Sequence, residues 1–112
     1  MNLETLERKQ RQLIVHSFIY YNLNENIWPD SKWDKTAKEV FAVREQETFK
    51  QSKFYKVFTN FDGCTGYNLT SYQYTDETDI LNTQSYQHHF MWLAEHLLKI
   101  HSEQVTVENT LT

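Results

Sequence analysis

A chain of 112 residues has room for one domain around one modest core and not for two. Two glycines and one proline starve an all-β design of its turn residues, and an aromatic content of 15 % argues against disorder, because each ring buries a large area. The net charge of −4 is uneven: residues 75–112 carry six acidic groups and one basic group. That third repels phosphate, so direct nucleic-acid binding is not expected and a basic protein surface is its natural partner, although the same charges also suit a solvated face.

Taken in chain order, residues 3–23 lack glycine and proline, and Leu6, Leu13, Ile14, Phe18 and Tyr21 recur at helical spacing, which predicts a first helix. The segment NLNENIWPD ends it, since asparagine competes with helical backbone bonds and Pro29 disfavours helical geometry at Trp28. Pro29, Asp30 and Ser31 are a start signal, and Trp33, Ala37, Val40 and Phe41 form the apolar stripe of a second helix ending near Arg44. Two helices so closely joined predict an antiparallel hairpin.

Residues 45–58 suit a short helix or an extended segment, with helix the preferred reading. Both glycines fall in the hexapeptide FDGCTG, a loop that needs positive φ or close backbone approach. Beyond it, YNLTSYQY alternates enough to allow a short β segment. Tyr86, Phe90, Leu93, Leu97 and Ile100 step by four, three, four and three residues, which predicts a long third helix over residues 78–102. The expectation is therefore a mostly α fold: a helical hairpin plus a third long helix in one domain, residues 1–102, followed by a tail, residues 103–112.

Residues 20–34 read YYNLNENIWPDSKWD, and this block resembles the N-terminal helical domain of bacterial NAD-dependent DNA ligases. That domain recognises the nicotinamide mononucleotide half of NAD through a Tyr followed by His or Tyr, a hairpin connection, then Asp, two residues, Tyr and Asp. The positions that match here are Tyr20, Tyr21, Asp30, Trp33 and Asp34, with Trp33 standing where the family has Tyr. The chemistry is intelligible: aromatic faces stack on a nicotinamide ring, while carboxylates bind ribose hydroxyls and offset the pyridinium charge. The same residues also suit a ligand-free hairpin in which the rings clamp the two helices and Asp30 is an N-cap.

A DNA ligase also needs a Lys-x-Asp-Gly nucleophile, and the chain offers Asn60, Phe61, Asp62 and Gly63. Asn60 cannot form a phosphoramidate, so ligation by this chain alone is not expected. A second block, SKFYKVFTNFDGCTGYNL, resembles a segment of small phage and prophage proteins of Gram-positive bacteria. That resemblance implies a viral or mobile-element setting and the host cytoplasm, and supplies no activity. A single cysteine and the lack of an apolar run of about eighteen residues agree with a cytoplasmic, non-membrane protein.

Other groupings point to bland roles. His88, His89, His96 and His101 lie on the third helix at separations that do not suit a metal, and no metal is expected. Cys64 or Asp62 in the glycine loop would serve a small hydrolase, but no partner base is specified. The rings of residues 54–74 exceed what a three-helix core requires, and Tyr72 and Tyr74 adjoin Asp76, Glu77 and Asp79. Those five residues suit docking on a basic host protein, with charge giving steering and rings giving binding energy. Beside the weaker small-hydrolase reading, two expectations result. One is a phage-type binding protein that regulates or inhibits a host nucleic-acid enzyme or defence factor such as a CRISPR nuclease; the other is a module that binds nicotinamide mononucleotide or NAD.

Overall fold

The computed structural model of the chain describes residues 1–70 and 83–111, with side chains from 86 to 104 in the last helix. Among the described residues there are helices and turns and no strand, so the fold is mostly α. Helix α1 spans Leu3–Asn22, α2 Asp30–Ala42, α3 Glu47–Gln51, α4 Tyr67–Thr70 and α5 Thr83–Leu111. No helix among these residues is long and apolar enough to cross a membrane.

α1 is the axis on which each of the other four helices packs. It starts where Asn2 Oδ1 accepts the Thr5 N–H at 2.8 Å, with Glu4 placed to complement the first turn. It ends where the Leu23 N–H donates to Phe18 O and Asn24 turns back at a φ of 58°, a left-handed geometry that asparagine tolerates. Residues 13–19, LIVHSFI, are buried without interruption. A stretch of helix covered on all sides hides polar residues that a one-face reading assigns to solvent, and within residues 13–19 His16 and Ser17 are thereby buried.

The expected hairpin of α1 and α2 is present, with Ala37 and Val40 fully buried and an ion pair between Lys9 and Glu39 across the two helices. After the connection, α3 is only five residues long. Ser52 ends it by turning extended and donating its hydroxyl to Phe49 O at 2.9 Å, so residues 52–60 run as successive turns rather than as a helix. These turns carry Phe54, Val57 and Phe58 into the core, where Phe54 meets Phe90 at 5.9 Å between ring centroids and Phe58 meets Phe61 at 5.1 Å.

Three expectations change here. The rings counted as excess to the core over residues 54–67 divide: Phe54, Phe58 and Phe61 are buried in it, while Tyr55 and Tyr67 are exposed. The β segment expected after the glycine loop is instead α4 over its first four residues, opened by Leu69 N–H donating to Gly66 O at 3.0 Å. The third helix continues to Leu111, past the end expected at residue 102 and through the segment expected to be a tail. Its buried seam is Tyr86, Phe90 and Ala94, with Leu93 and Leu97 half-buried and Ile100 exposed. Tyr86 fastens α5 to α4 by donating its hydroxyl to Leu69 O at 2.7 Å.

Candidate functional site

The loop from Asp62 to Gly66 is built locally. Asp62 Oδ1 accepts the backbone N–H groups of Cys64 at 2.8 Å and Thr65 at 3.1 Å, and these two bonds hold its carboxyl below the usual carboxylate range. Gly63 takes a φ of 79°, which an L side chain rarely adopts. Gly66 then lies directly against α1 and α2, so close that a Cβ there would collide with Ser17 Oγ and come within 2.9 Å of the Trp33 ring. The two glycines thus do different work: one makes the turn, and the other allows the loop to touch both helices.

That approach closes one wall of a cavity of about 260 Å³ bounded by α1, the connection to α2, the start of α2 and the glycine loop. All five residues singled out for a nicotinamide nucleotide line it: Tyr20, Tyr21, Asp30, Trp33 and Asp34. Spacing accounts for the convergence. Asp30 and Asp34 are four residues apart on α2 and share a face with Trp33, while Tyr20 and Tyr21 come from the last turn of α1 opposite them.

Each side chain is available in a particular way. Tyr20 is 54 % exposed and Tyr21 41 %, so neither is a core ring holding the hairpin together. Tyr21 is oriented by a 2.9 Å hydrogen bond between its hydroxyl and Thr65 Oγ1 and by edge contacts with Tyr20 and Tyr67. Trp33 is half-buried with its edge toward Phe61 at 6.2 Å. Asp30 opens α2 directly after Pro29, and no side chain caps that helix; neither Asp30 nor Asp34 has a hydrogen-bond or ion-pair partner among the described residues.

The cavity has more walls than the motif residues. Its lining also includes His16, Trp28, Asn26 and Ser17 from α1 and the connection, and Cys64, Thr65 and Gly66 from the loop. His16 stacks on Trp28 with ring centroids 4.0 Å apart and planes 19° apart, and Lys32 Nζ covers Trp28 at 4.8 Å. Burial and then the nearby Lys32 charge bring the His16 imidazole down to about 4, so it is neutral at pH 7. No lysine or arginine is among the lining residues, which leaves the two aspartates as the charges of the wall.

The remaining candidates stand apart from this site. Asp62 is committed to its own turn and does not line the cavity, while Cys64 lines it as a free, exposed thiol. On α5 His88 and His89 are exposed, His96 stacks on Trp92 at 5.1 Å, and no group of three potential metal ligands comes together among the described residues. The docking residues Tyr72, Tyr74, Asp76, Glu77 and Asp79 lie outside the described residues. Comparison with protein-family models, with curated proteins and with solved structures gives no match to this chain.

Proposed function

We propose that this chain is a small binding protein whose cavity takes the nicotinamide mononucleotide half of NAD, or a ligand with the same combination of a flat cationic ring and a ribose. The observation that carries the reading is the convergence of Tyr20, Tyr21, Asp30, Trp33 and Asp34 on one cavity, with both carboxylates unpartnered. Rings at its edge offer faces for a pyridinium to stack on, and a cation held there gains from the ring quadrupoles as well as from the aspartates. The carboxylates are acceptors only, which suits the donor hydroxyls of a ribose.

Size discriminates between the mononucleotide and the whole dinucleotide. At about 260 Å³ the cavity lies just below the roughly 300–1,000 Å³ of pockets that enclose drug-sized ligands, so it suits a ring with its sugar better than a whole dinucleotide. The wall has no cationic lining residue, so the ligand phosphate faces solvent and contributes little. Regulation of a basic host protein remains compatible with such a module, but the residues that motivated it lie outside the described part, and the cavity is what the geometry supports.

Calorimetric titration with nicotinamide mononucleotide at millimolar concentration tests the reading. Binding is expected, and Asp34→Ala or Tyr21→Ala should abolish it while leaving the circular dichroism spectrum and melting temperature close to native, because both side chains are exposed. Absence of heat, together with unchanged amide chemical shifts for residues 20–34, would refute it.

A further inference from the structure

One polar residue of the cavity falls outside the ligase-like motif. His16 is 8 % exposed, lines the cavity floor, and has no hydrogen-bond partner among the described residues. Buried polar groups are ordinarily bonded, and an unpartnered one aimed into a cavity awaits a partner there. Gln10 Oε1 is the side-chain oxygen or nitrogen fully sealed without a partner among the described residues, so the His16 nitrogens keep some accessible surface, and His16 is a lining residue of the cavity.

The ring is also held in orientation. Stacking on Trp28 at 4.0 Å fixes the imidazole plane, and the next residue, Ser17, is anchored by donating its hydroxyl to Leu13 O at 2.6 Å. An imidazole whose face is covered presents its edge. As a neutral ring that edge carries one N–H donor and one bare nitrogen acceptor, the opposite of a charged imidazolium, which would donate twice.

Resting on the nicotinamide reading above, we propose that His16 is the specificity residue of the cavity, its imidazole edge accepting a primary carboxamide and rejecting the corresponding carboxylate. A primary amide supplies both a carbonyl acceptor and an N–H donor, so it satisfies either nitrogen of the neutral imidazole. A carboxylate has no proton to give, leaves the bare nitrogen unmatched, and brings a negative charge into a cavity already lined by Asp30 and Asp34. Ligands with an uncharged amide on the ring are thereby separated from their acid analogues.

The test compares nicotinamide mononucleotide with nicotinic acid mononucleotide on the full chain by calorimetry at pH 7.5. Native protein should prefer the amide by at least about tenfold, the range expected when a buried polar group is left unmatched. His16→Phe keeps a ring against Trp28 and should bring the ratio down several-fold toward the residue set by the two aspartates, whereas His16→Gln keeps a donor and an acceptor and should retain most of the preference. Nitrogen-15 spectra of native imidazole provide a readout independent of any variant: the bare nitrogen of His16 should shift on saturation with the amide. A native ratio near one, an unchanged ratio in His16→Phe, or an imidazole spectrum unmoved by bound nicotinamide mononucleotide would overturn the assignment while leaving the nucleotide reading intact. Failure of native protein to bind either compound would overturn both.

Discussion

Replacing Gly66 by alanine sets two opposed effects against each other, and the structure decides their order. Gly66 has a φ outside the left-handed region, so alanine meets no backbone strain and would restrict the unfolded chain, a stabilisation of about 0.4–1 kcal/mol. Against this, the added Cβ runs into Ser17 Oγ and comes within 2.9 Å of Trp33 Cζ2 and 3.0 Å of Ser17 Cβ. Neither neighbour yields easily. Ser17 is on the central helix with its hydroxyl bonded to Leu13 O, and Trp33 is wedged against Phe61. Inserting a methyl group into such packing costs roughly 1–3 kcal/mol, so the clash wins and Gly66→Ala should destabilise by about 1–2 kcal/mol. For a chain of this length that corresponds to a fall of roughly 4–8 °C in Tm. Urea denaturation of native, Gly66→Ala, Ser17→Ala and the double variant measures the coupling, and removing Ser17 Oγ should return about 1 kcal/mol of the loss. A Gly66→Ala protein as stable as native, or additivity across the cycle, would show that the loop does not press on the two helices as described.

Acid sensitivity follows from His16, whose folded pKa is brought down from 6.5 to about 4, mainly by burial. Between those values the unfolded chain takes up a proton that the folded chain does not, so stability falls as pH drops from 6.5 towards 4, by about 3 kcal/mol at most. Urea midpoints at pH 7.5, 5.5 and 4.5 should show this decline in native protein and a shallower one in His16→Gln. Tyr86→Phe removes the hydroxyl that donates to Leu69 O and should cost about 1 kcal/mol by the same assay, with the m-value unchanged.

The legible parts of the sequence were those carried by period. Leu6, Leu13, Ile14 and Phe18 gave α1, and Ala37 and Val40 gave α2, because a helix with one buried side writes that side into every third or fourth residue. The five motif residues are legible only through the resemblance to the ligase domain; what the structure adds is that the short connection brings the end of α1 beside the start of α2, so those residues line one cavity. His16 and Ser17 were not legible in that way. They sit on the side of α1 that a single-face reading leaves to solvent, and the signal that could have revealed them was the unbroken apolar context of LIVHSFI. The FDGCTG loop is legible as needing positive φ or close approach, but not which glycine does which, and the neighbours of Gly66 belong to α1 and α2, more than thirty positions away, where no local pattern names them. The short helix preferred for residues 45–58 is present as Glu47–Gln51, but the turns that follow are not legible, because Phe54, Val57 and Phe58 keep helical spacing while Ser52 breaks the backbone.

Trp28 and Trp33 both line the cavity, and the third tryptophan, Trp92, is on α5, 55 % exposed and stacked on His96. Under the proposed reading this distribution would make the protein its own optical indicator. Indole emission is sensitive to whatever contacts the ring, and a nicotinamide stacked against it would accept an excited electron and darken it, so two of the three emitters would report occupancy. Phenylalanine at position 92 would remove the background emitter without touching the cavity, and the residual signal would come from the walls alone. Because Trp28 covers His16 and Trp33 touches the glycine loop, separate Phe substitutions at those two positions would tell events on the cavity floor from events at the loop by colour and intensity, with no label attached.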